Sequence, residues 1–240
     1  MIYCLSYVFV ARLALSWLSL TSCVLSFKSL NVKCMLTTSL SQEDQLLLLD
    51  CVLAEKWDWR VVSLNTNKLF GEVWVLLTRL RSELGTRCFV CYPDVSSVLS
   101  YKQSSCGLNI YSSIGVRALC CKVRKVIPLI SAIMRLKTKL WVTGLRRLQC
   151  ESRDETCIIQ YDSKFDCVKL NPLLCWRASD LARVLVSRCI EYNCLLNLGY
   201  KSVGCAPCTR AIRPWERARA GRWWWERTCG LSGECGLHVS

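Results

Sequence analysis

Apolar residues recur at helical spacing over Gln42–Trp57, where Leu46, Leu47, Leu49, Val52 and Leu53 form one buried stripe and Ser41 is a candidate N-cap. Arg60–Leu64 is a short β-branched run and predicts a strand. Helical spacing returns over Glu72–Leu84, with Trp74, Leu77 and Leu80 on a shared face. Cys88–Tyr92 predicts the next strand, and a serine-rich loop is expected from Ser96 to Ser113. A helix follows from about Arg117 to Lys137, bent at Pro128, where proline removes a backbone donor. Lys139–Thr143, Cys157–Tyr161 and Cys167–Leu170 read as strands and Ser179–Glu191 as a helix. Beyond Gly199 periodicity fades into Gly, Arg and Trp. The alternation predicts an α/β fold: a single doubly wound, mostly parallel sheet with helices on both faces and an irregular carboxyl-terminal segment.

The amino terminus breaks this pattern. Residues 1–27 hold one charge, Arg12, and the uncharged stretch Leu13–Phe27 is shorter than the ~20 apolar residues of a spanning helix. Arg12 alone is a poor basic region for a signal peptide, and no cleavage motif follows. Residues 1–35 are therefore expected to be an atypical leader and 36–240 one domain, with no membrane anchor. With 52% apolar and 21% charged residues the chain reads as globular. Lysine and arginine outnumber the acids 32 to 18, a net charge of +14 that favours an anionic partner. Nineteen cysteines cannot all pair within one chain, and a chain of 240 residues does not need disulfide staples. Reduced thiols with a metal or redox role fit better and point to the cytoplasm. His238 is the only histidine, which excludes His-rich zinc sites.

Two cysteine pairs carry the candidate chemistry: Cys120-Cys121 and, after 83 intervening residues, Cys205-Ala-Pro-Cys208. Four thiolates suit tetrahedral zinc or an iron–sulfur cluster, although adjacent cysteines are awkward for zinc. Buried apolar thiols are the alternative. A further C-x-x-C, Cys88–Cys91, lies in an apolar run and reads as core.

The surrounding residues resemble the assimilatory adenylyl-sulfate (APS) reductases. Cys120-Cys-Lys-Val-Arg-Lys-Val-Ile-Pro-Leu129 is similar to that family's CC-x-x-RKV-x-PL, and Trp141-Val-Thr-Gly-Leu-Arg-Arg-Leu-Gln149 to its W-x-TG-x-RR-x-Q. Gly199-Tyr-Lys-Ser-Val-Gly-Cys-Ala-Pro-Cys-Thr-Arg210 resembles GY-x-SIGC-x-PCTR; Gly221-Arg-Trp-Trp-Trp-Glu226 and Glu234-Cys-Gly-Leu-His238 match GRWWWE and ECGLH. The likeness is strong over Cys120–His238 and weaker back to about Thr37, through Ser39-Leu-Ser-Gln-Glu-Asp44 and Leu64-Asn-Thr66.

The resemblance implies a reaction and a site. Cys235 would be the nucleophile: its thiolate attacks the sulfur of APS, releases AMP and leaves an S-sulfocysteine, from which a free thioredoxin or glutaredoxin liberates sulfite. His238 would orient or polarise that thiolate, or merely solubilise the tail. Cys120, Cys121, Cys205 and Cys208 would hold a [4Fe–4S] cluster. Lys125, a helical turn beyond Cys121, would link cluster and substrate electrostatically; a solvated lysine is the alternative. Arg146, Arg147, Arg219 and Arg222 would clamp the phosphosulfate, where guanidinium groups suit the geometry. Thr143 and Gly144 would form a close-approach turn, and Ser39 and Ser41 a phosphate-binding loop, with a plain N-cap as the alternative for Ser41. Leu64 and Thr66 complete the expected substrate contacts.

Departures accompany the likeness. LDTGRL-x-PET of the family is here Leu64-Asn-Thr-Asn-Lys-Leu-Phe-Gly-Glu-Val73, Cys150 follows the RR-x-Q match where serine is common, and Trp215 replaces a glycine. Fourteen of the nineteen cysteines lie outside the five matched positions. The alternatives are 3′-phospho-APS (PAPS) as substrate, though relatives that use it generally lack the cluster cysteines, and an inactive relative. From another class, Trp223–Trp225 and the basic excess would suit a nucleic-acid-binding module. The arginines follow a catalytic-type motif rather than a basic stripe, so no nucleic-acid partner is expected.

Overall fold

The computed structural model describes residues 33–48 and 59–226. Six strands form one sheet: β1 (Lys33–Thr38), β2 (Trp59–Leu64), β3 (Cys88–Cys91), β4 (Thr138–Val142), β5 (Ile159–Asp162) and β6 (Cys167–Leu170), in the order β3-β2-β1-β4-β6-β5. β1 pairs parallel with β4, setting Leu36 opposite Val142, and β4 pairs parallel with β6, setting Val142 opposite Leu170. β5 and β6 form an antiparallel hairpin at the edge. The expected mostly parallel α/β architecture is therefore present. β1 was not expected: Lys-Cys-Met-Leu-Thr-Thr shows no alternation, because a strand inside a parallel sheet is buried on both faces.

The helices are α1 (Gln42–Leu47), α2 (Gly71–Leu84), α3 (Val95–Ser104), α4 (Ile114–Cys121), α5 (Ile127–Leu136) and α6 (Ala178–Ser187). The later part of the predicted Gln42–Trp57 helix, with Leu49, Val52 and Leu53, lies outside the described residues. In α2 the buried face is Val73, Leu77, Leu80 and Leu84, whereas Trp74 is exposed, which corrects the predicted face by one position. The expected Ser96–Ser113 loop is helical in its first part. Asp94 caps α3 by accepting from the Ser97 amide at 2.8 Å and the Ser97 hydroxyl at 3.0 Å, so a good cap offsets weak serine propensity.

The long helix predicted from about Arg117 starts at Ile114, capped by Ser113. It continues through a π-helical turn, Lys122–Val126, into α5. The irregularity thus precedes Pro128. In a regular helix the proline ring would meet the carbonyl of Arg124, and a widened turn relieves that clash.

The chain divides into two compact units, the described parts of Met1–Val61 with Lys137–Tyr192 and of Val62–Leu136 with Asn193–Ser240. The first is packed around Met35, Leu36, Leu140, Trp141, Leu170 and Trp176, all essentially inaccessible to water. The core of the second includes Leu77, Leu129, Ile133, Leu195 and Trp223. No helix among the described residues is long and apolar enough to cross a membrane. All fourteen described cysteines are free.

Candidate active site

In the first unit, parallel β1 and β4 send their following loops off the same carboxyl end of the sheet, where α/β proteins place ligands. The first loop, Ser39–Ser41, is organised by one carboxylate. Asp44 Oδ2 accepts from the Ser39 amide at 2.7 Å, the Ser39 hydroxyl at 2.9 Å and the Ser41 amide at 3.2 Å. Ser41 in turn caps α1, closing a capping box with Asp44. Burial pushes the Asp44 carboxyl up to about 6, against the opposing hydrogen bonds from Ser39 and Ser41 and assisted by the neighbouring Glu43 charge.

The second loop begins at Thr143, whose hydroxyl lies 2.5 Å from Asn171 Oδ1 and donates to it. Gly144 follows, and a β-carbon there would stand 2.6 Å from Asp44 Oδ1 and 2.9 Å from Glu43 Cβ. The two loops therefore touch through a position that only glycine fits. Arg146 Nε donates to Glu43 Oε1 at 2.6 Å, and Gln149 Nε2 donates to the same oxygen at 2.8 Å. The Arg146–Glu43 pair is buried, so the Arg146 charge is already matched. Arg147 donates to the Thr156 carbonyl at 2.9 Å, and its Nε has no hydrogen-bond partner among the described residues.

The second unit gathers the cysteines. Cys121 ends α4, and Cys205 and Cys208 flank a short 3₁₀ turn; all three pack in one buried cluster with Trp223. Cys120, half-buried, precedes Cys121 on the same helix and lies near buried Tyr101. Thr66 Oγ1 lies 3.2 Å from Cys205 Sγ, and the Lys125 ammonium also hydrogen-bonds with that sulfur. Burial works against a Cys205 thiolate, but Lys125, the Thr66 hydroxyl and Arg222 outweigh it and hold the thiol below its ordinary value. Cys208 behaves oppositely, pushed up to about 12 by burial and by the Cys205 and Cys121 sulfurs.

Arg222 is buried, donates to the Val203 carbonyl at 3.2 Å and keeps an Nε without a hydrogen-bond partner among the described residues. The Arg219 carbonyl accepts from the Arg222 amide at 2.9 Å, which places both arginines on one turn. Leu64 ends β2 and leads into the Thr66 segment. The two asparagines that depart from the family pattern keep the turn: Asn67 takes a left-handed φ of 57°, and Asn65 Oδ1 accepts from its amide at 2.8 Å. Asparagine tolerates that conformation better than any other residue except glycine, the residue the family pattern has at position 67. Trp215 is strongly exposed, while the adjacent Glu216 receives both terminal nitrogens of Arg210, at 2.9 and 2.6 Å.

The expected site residues thus fall into two groups, each gathered within its own unit: Ser39, Ser41, Thr143, Gly144, Arg146 and Arg147 in the first, and Thr66, Lys125, Arg219, Arg222 and the four cysteines in the second. Cys235 and His238 lie outside the described residues. Glu43, Asp44 and Tyr101 were not among the expected site residues. The Ser41–Asp44 spacing is a capping-box signal visible in the sequence, but nothing local announces Glu43–Arg146 or Tyr101.

Three of the four expected ligands, Cys121, Cys205 and Cys208, share one buried cluster, and Cys120 is adjacent to Cys121 in the chain. No group of three His, Cys, Asp or Glu residues among those described is close enough to share one ion. Buried thiols with hydrogen-bond donors and cations beside them suit an iron–sulfur cluster.

A mostly parallel sheet with ligand-type loops at its carboxyl end, together with thiols collected beside lysine and arginine, defines an α/β protein equipped for anion and sulfur chemistry. The sequence profile of the phosphoadenosine phosphosulfate reductase domain matches residues 33–211, and the chain belongs to that family. It is 36% identical over 212 residues to the adenosine 5'-phosphosulfate reductase of Sinorhizobium fredii (strain USDA 257), covering 88% of this chain and 82% of that protein. It is 39% identical over 204 residues to the enzyme of the same name from Burkholderia cepacia, covering 85% and 79%. Among solved structures, phosphoadenylyl-sulfate reductase from Candida auris, in a phosphate complex, superposes with a TM-score of 0.62 at 21% identity, over 79% of this chain and 88% of that one, and supports the fold.

Proposed function

We propose that the chain reduces adenylyl sulfate to sulfite and AMP in assimilatory sulfate reduction, as a thioredoxin-dependent oxidoreductase. The observation that carries this reading is the buried cysteine centre with Lys125, Thr66 and Arg222 directed at Cys205. The relatives named for the same activity support it over most of the chain. The reductase domain is taken as the family-matching chain from β1 onward.

Cys120, Cys121, Cys205 and Cys208 would hold a [4Fe–4S] cluster, which when bound supplies a compact delocalised charge. Lys125 and Arg222 offset charge at the thiolates; Arg219 and Arg222 in the second unit, and Arg147 in the first, are the basic residues expected to attract the phosphosulfate. Ser39, Ser41, Thr143 and Gly144 shape the anion-binding loops, which Arg146 holds through Glu43. Leu64 and Thr66 contribute to the nucleotide side. The Cys235 thiolate attacks the sulfonyl sulfur; a Cys–S–SO₃⁻ bond forms and the bond from sulfur to the bridging oxygen breaks, so AMP leaves with that oxygen. His238 orients the thiolate. A thioredoxin or glutaredoxin thiolate then attacks Cys235 Sγ and expels sulfite. Its second thiol resolves the mixed disulfide, so the dithiol supplies both electrons and Cys235 returns as thiolate. Free thiols throughout the described chain suit a reducing cytoplasm.

The test is turnover of purified holoprotein with APS, thioredoxin and its reductant, measuring sulfite and AMP. Equal amounts of both, dependent on thioredoxin, are expected; AMP without sulfite would reject reductive release. PAPS as a parallel substrate distinguishes the two nucleotides.

A further inference from the structure

We propose that Arg117 and Glu226 form a positioning pair that fixes the root of the Cys235 tail to the helix carrying the cluster ligands. The proposal rests on the reductase reading above. Arg117 lies on α4 one turn before Cys121, so the two share a face of the helix. Its Nε forms an ion pair with Glu226 Oε1, although 109 residues separate them, with the two side chains only 10% and 6% exposed.

The same guanidinium lies 4.4 Å from the centroid of the Trp223 ring, and that of Arg222 lies 4.8 Å from it. The Trp223 amide donates to the Cys208 carbonyl at 3.2 Å, and the Glu226 amide to the Trp223 carbonyl at 2.9 Å. The chain that leads into the tail is thus fastened at both ends of a single turn. Trp223 holds a left-handed φ of 47°, a conformation unfavourable for a bulky residue that persists only where its surroundings impose it.

A buried ion pair is a poor source of net stability compared with apolar packing, so its use here calls for another reason. Cys235 follows Glu226 by nine residues, a length that reaches at most about 30 Å. Fixing Glu226 fixes the point from which the chain to Cys235 starts, and a positioned thiolate has a higher effective concentration at the sulfur under attack. The first chemical step should therefore depend on the pair, while cluster content and substrate affinity should not.

The test uses anaerobically purified full-length holoprotein in four forms: wild type, Glu226→Gln, Arg117→Gln and the double variant. Cluster absorbance, APS affinity and the single-turnover rate of adduct formation by intact mass are measured for each. Each single variant is expected to keep its cluster and bind APS within about twofold, while adduct formation slows about tenfold or more. The double variant should be no slower than either single one, because the two groups act as a unit. Arg117→Lys, which keeps the charge, should recover part of the rate. Unchanged adduct rates, or loss of the cluster in every variant including Arg117→Lys, would overturn the proposal. Absence of an adduct in wild type would sink the reductase reading together with it, whereas a wild-type adduct with unaffected variants sinks the positioning role alone.

Discussion

Thr66 Oγ1 stands 3.2 Å from Cys205 Sγ although 139 residues separate them in the chain. The contact joins the segment after β2 to the turn that carries two of the four expected ligands, and the Thr66 carbonyl itself accepts from Arg124 Nη1 at 2.9 Å. Removing the hydroxyl while keeping the shape, as in Thr66→Val, should lower cluster retention or activity by about 10–100-fold, the usual cost of a lost outer hydrogen bond at a metal site. Thr66→Ser should retain both. Iron and sulfide content with the visible absorbance of the anaerobic protein provide the comparison.

The Glu43–Arg146 pair makes a different kind of prediction, because both side chains are buried and Glu43 also receives Gln149. Glu43→Ala strands a buried guanidinium and should cost about 3–5 kcal/mol in urea unfolding. Replacing both partners by apolar residues should cost less than the sum of the single changes. Additive losses would show that the pair does not act as a unit.

Asp44 gives the first unit a pH dependence. Its carboxyl rises to about 6 in the folded chain through burial, above its unfolded value of about 3.9. The protonated form is thus favoured by folding: the stabilisation is full below pH ~4 and is lost as pH rises through about 6. The difference in unfolding free energy between wild type and Asp44→Asn should fall by about 2 kcal/mol from pH 4 to pH 7. A flat difference across that interval would show that the carboxyl is not perturbed.

Gly144→Ala would force a β-carbon against Asp44 and Glu43. It should destabilise the fold by about 1–3 kcal/mol and weaken APS binding by separating the two loops, whereas alanine at exposed Gly71, with open space around it, should do neither. Urea unfolding and equilibrium binding measured on the same samples distinguish the two effects.

Local pattern carried the outer framework. The β-branched Arg60–Leu64 run and the Cys167–Leu170 run are strands, and the helical spacing in Ser179–Glu191 marks α6. It did not carry β1, whose burial on both faces removes any alternation, or α3, where serine composition hid the effect of the Asp94 cap. Trp74 shared the right spacing but faces solvent, because the interior is occupied by Val73 one position earlier. At the site, the cysteine pairs were readable because each pair is contiguous or nearly so. Glu43 with Arg146 and Arg117 with Glu226 were not, since each pair is brought together from more than a hundred residues apart. The same holds for Asn65 and Asn67: the sequence shows two altered residues, and only the backbone shows that Asn67 takes a left-handed φ held by Asn65 Oδ1.

The most direct measurement is the intact mass of anaerobically purified holoprotein after exposure to APS in the absence of thioredoxin. A single added SO₃ group on the wild-type chain is predicted, absent from Cys235→Ser and discharged as sulfite when reduced thioredoxin is added. A cluster-bearing wild-type protein that acquires no such adduct, or a Cys235→Ser variant that still does, would contradict the account.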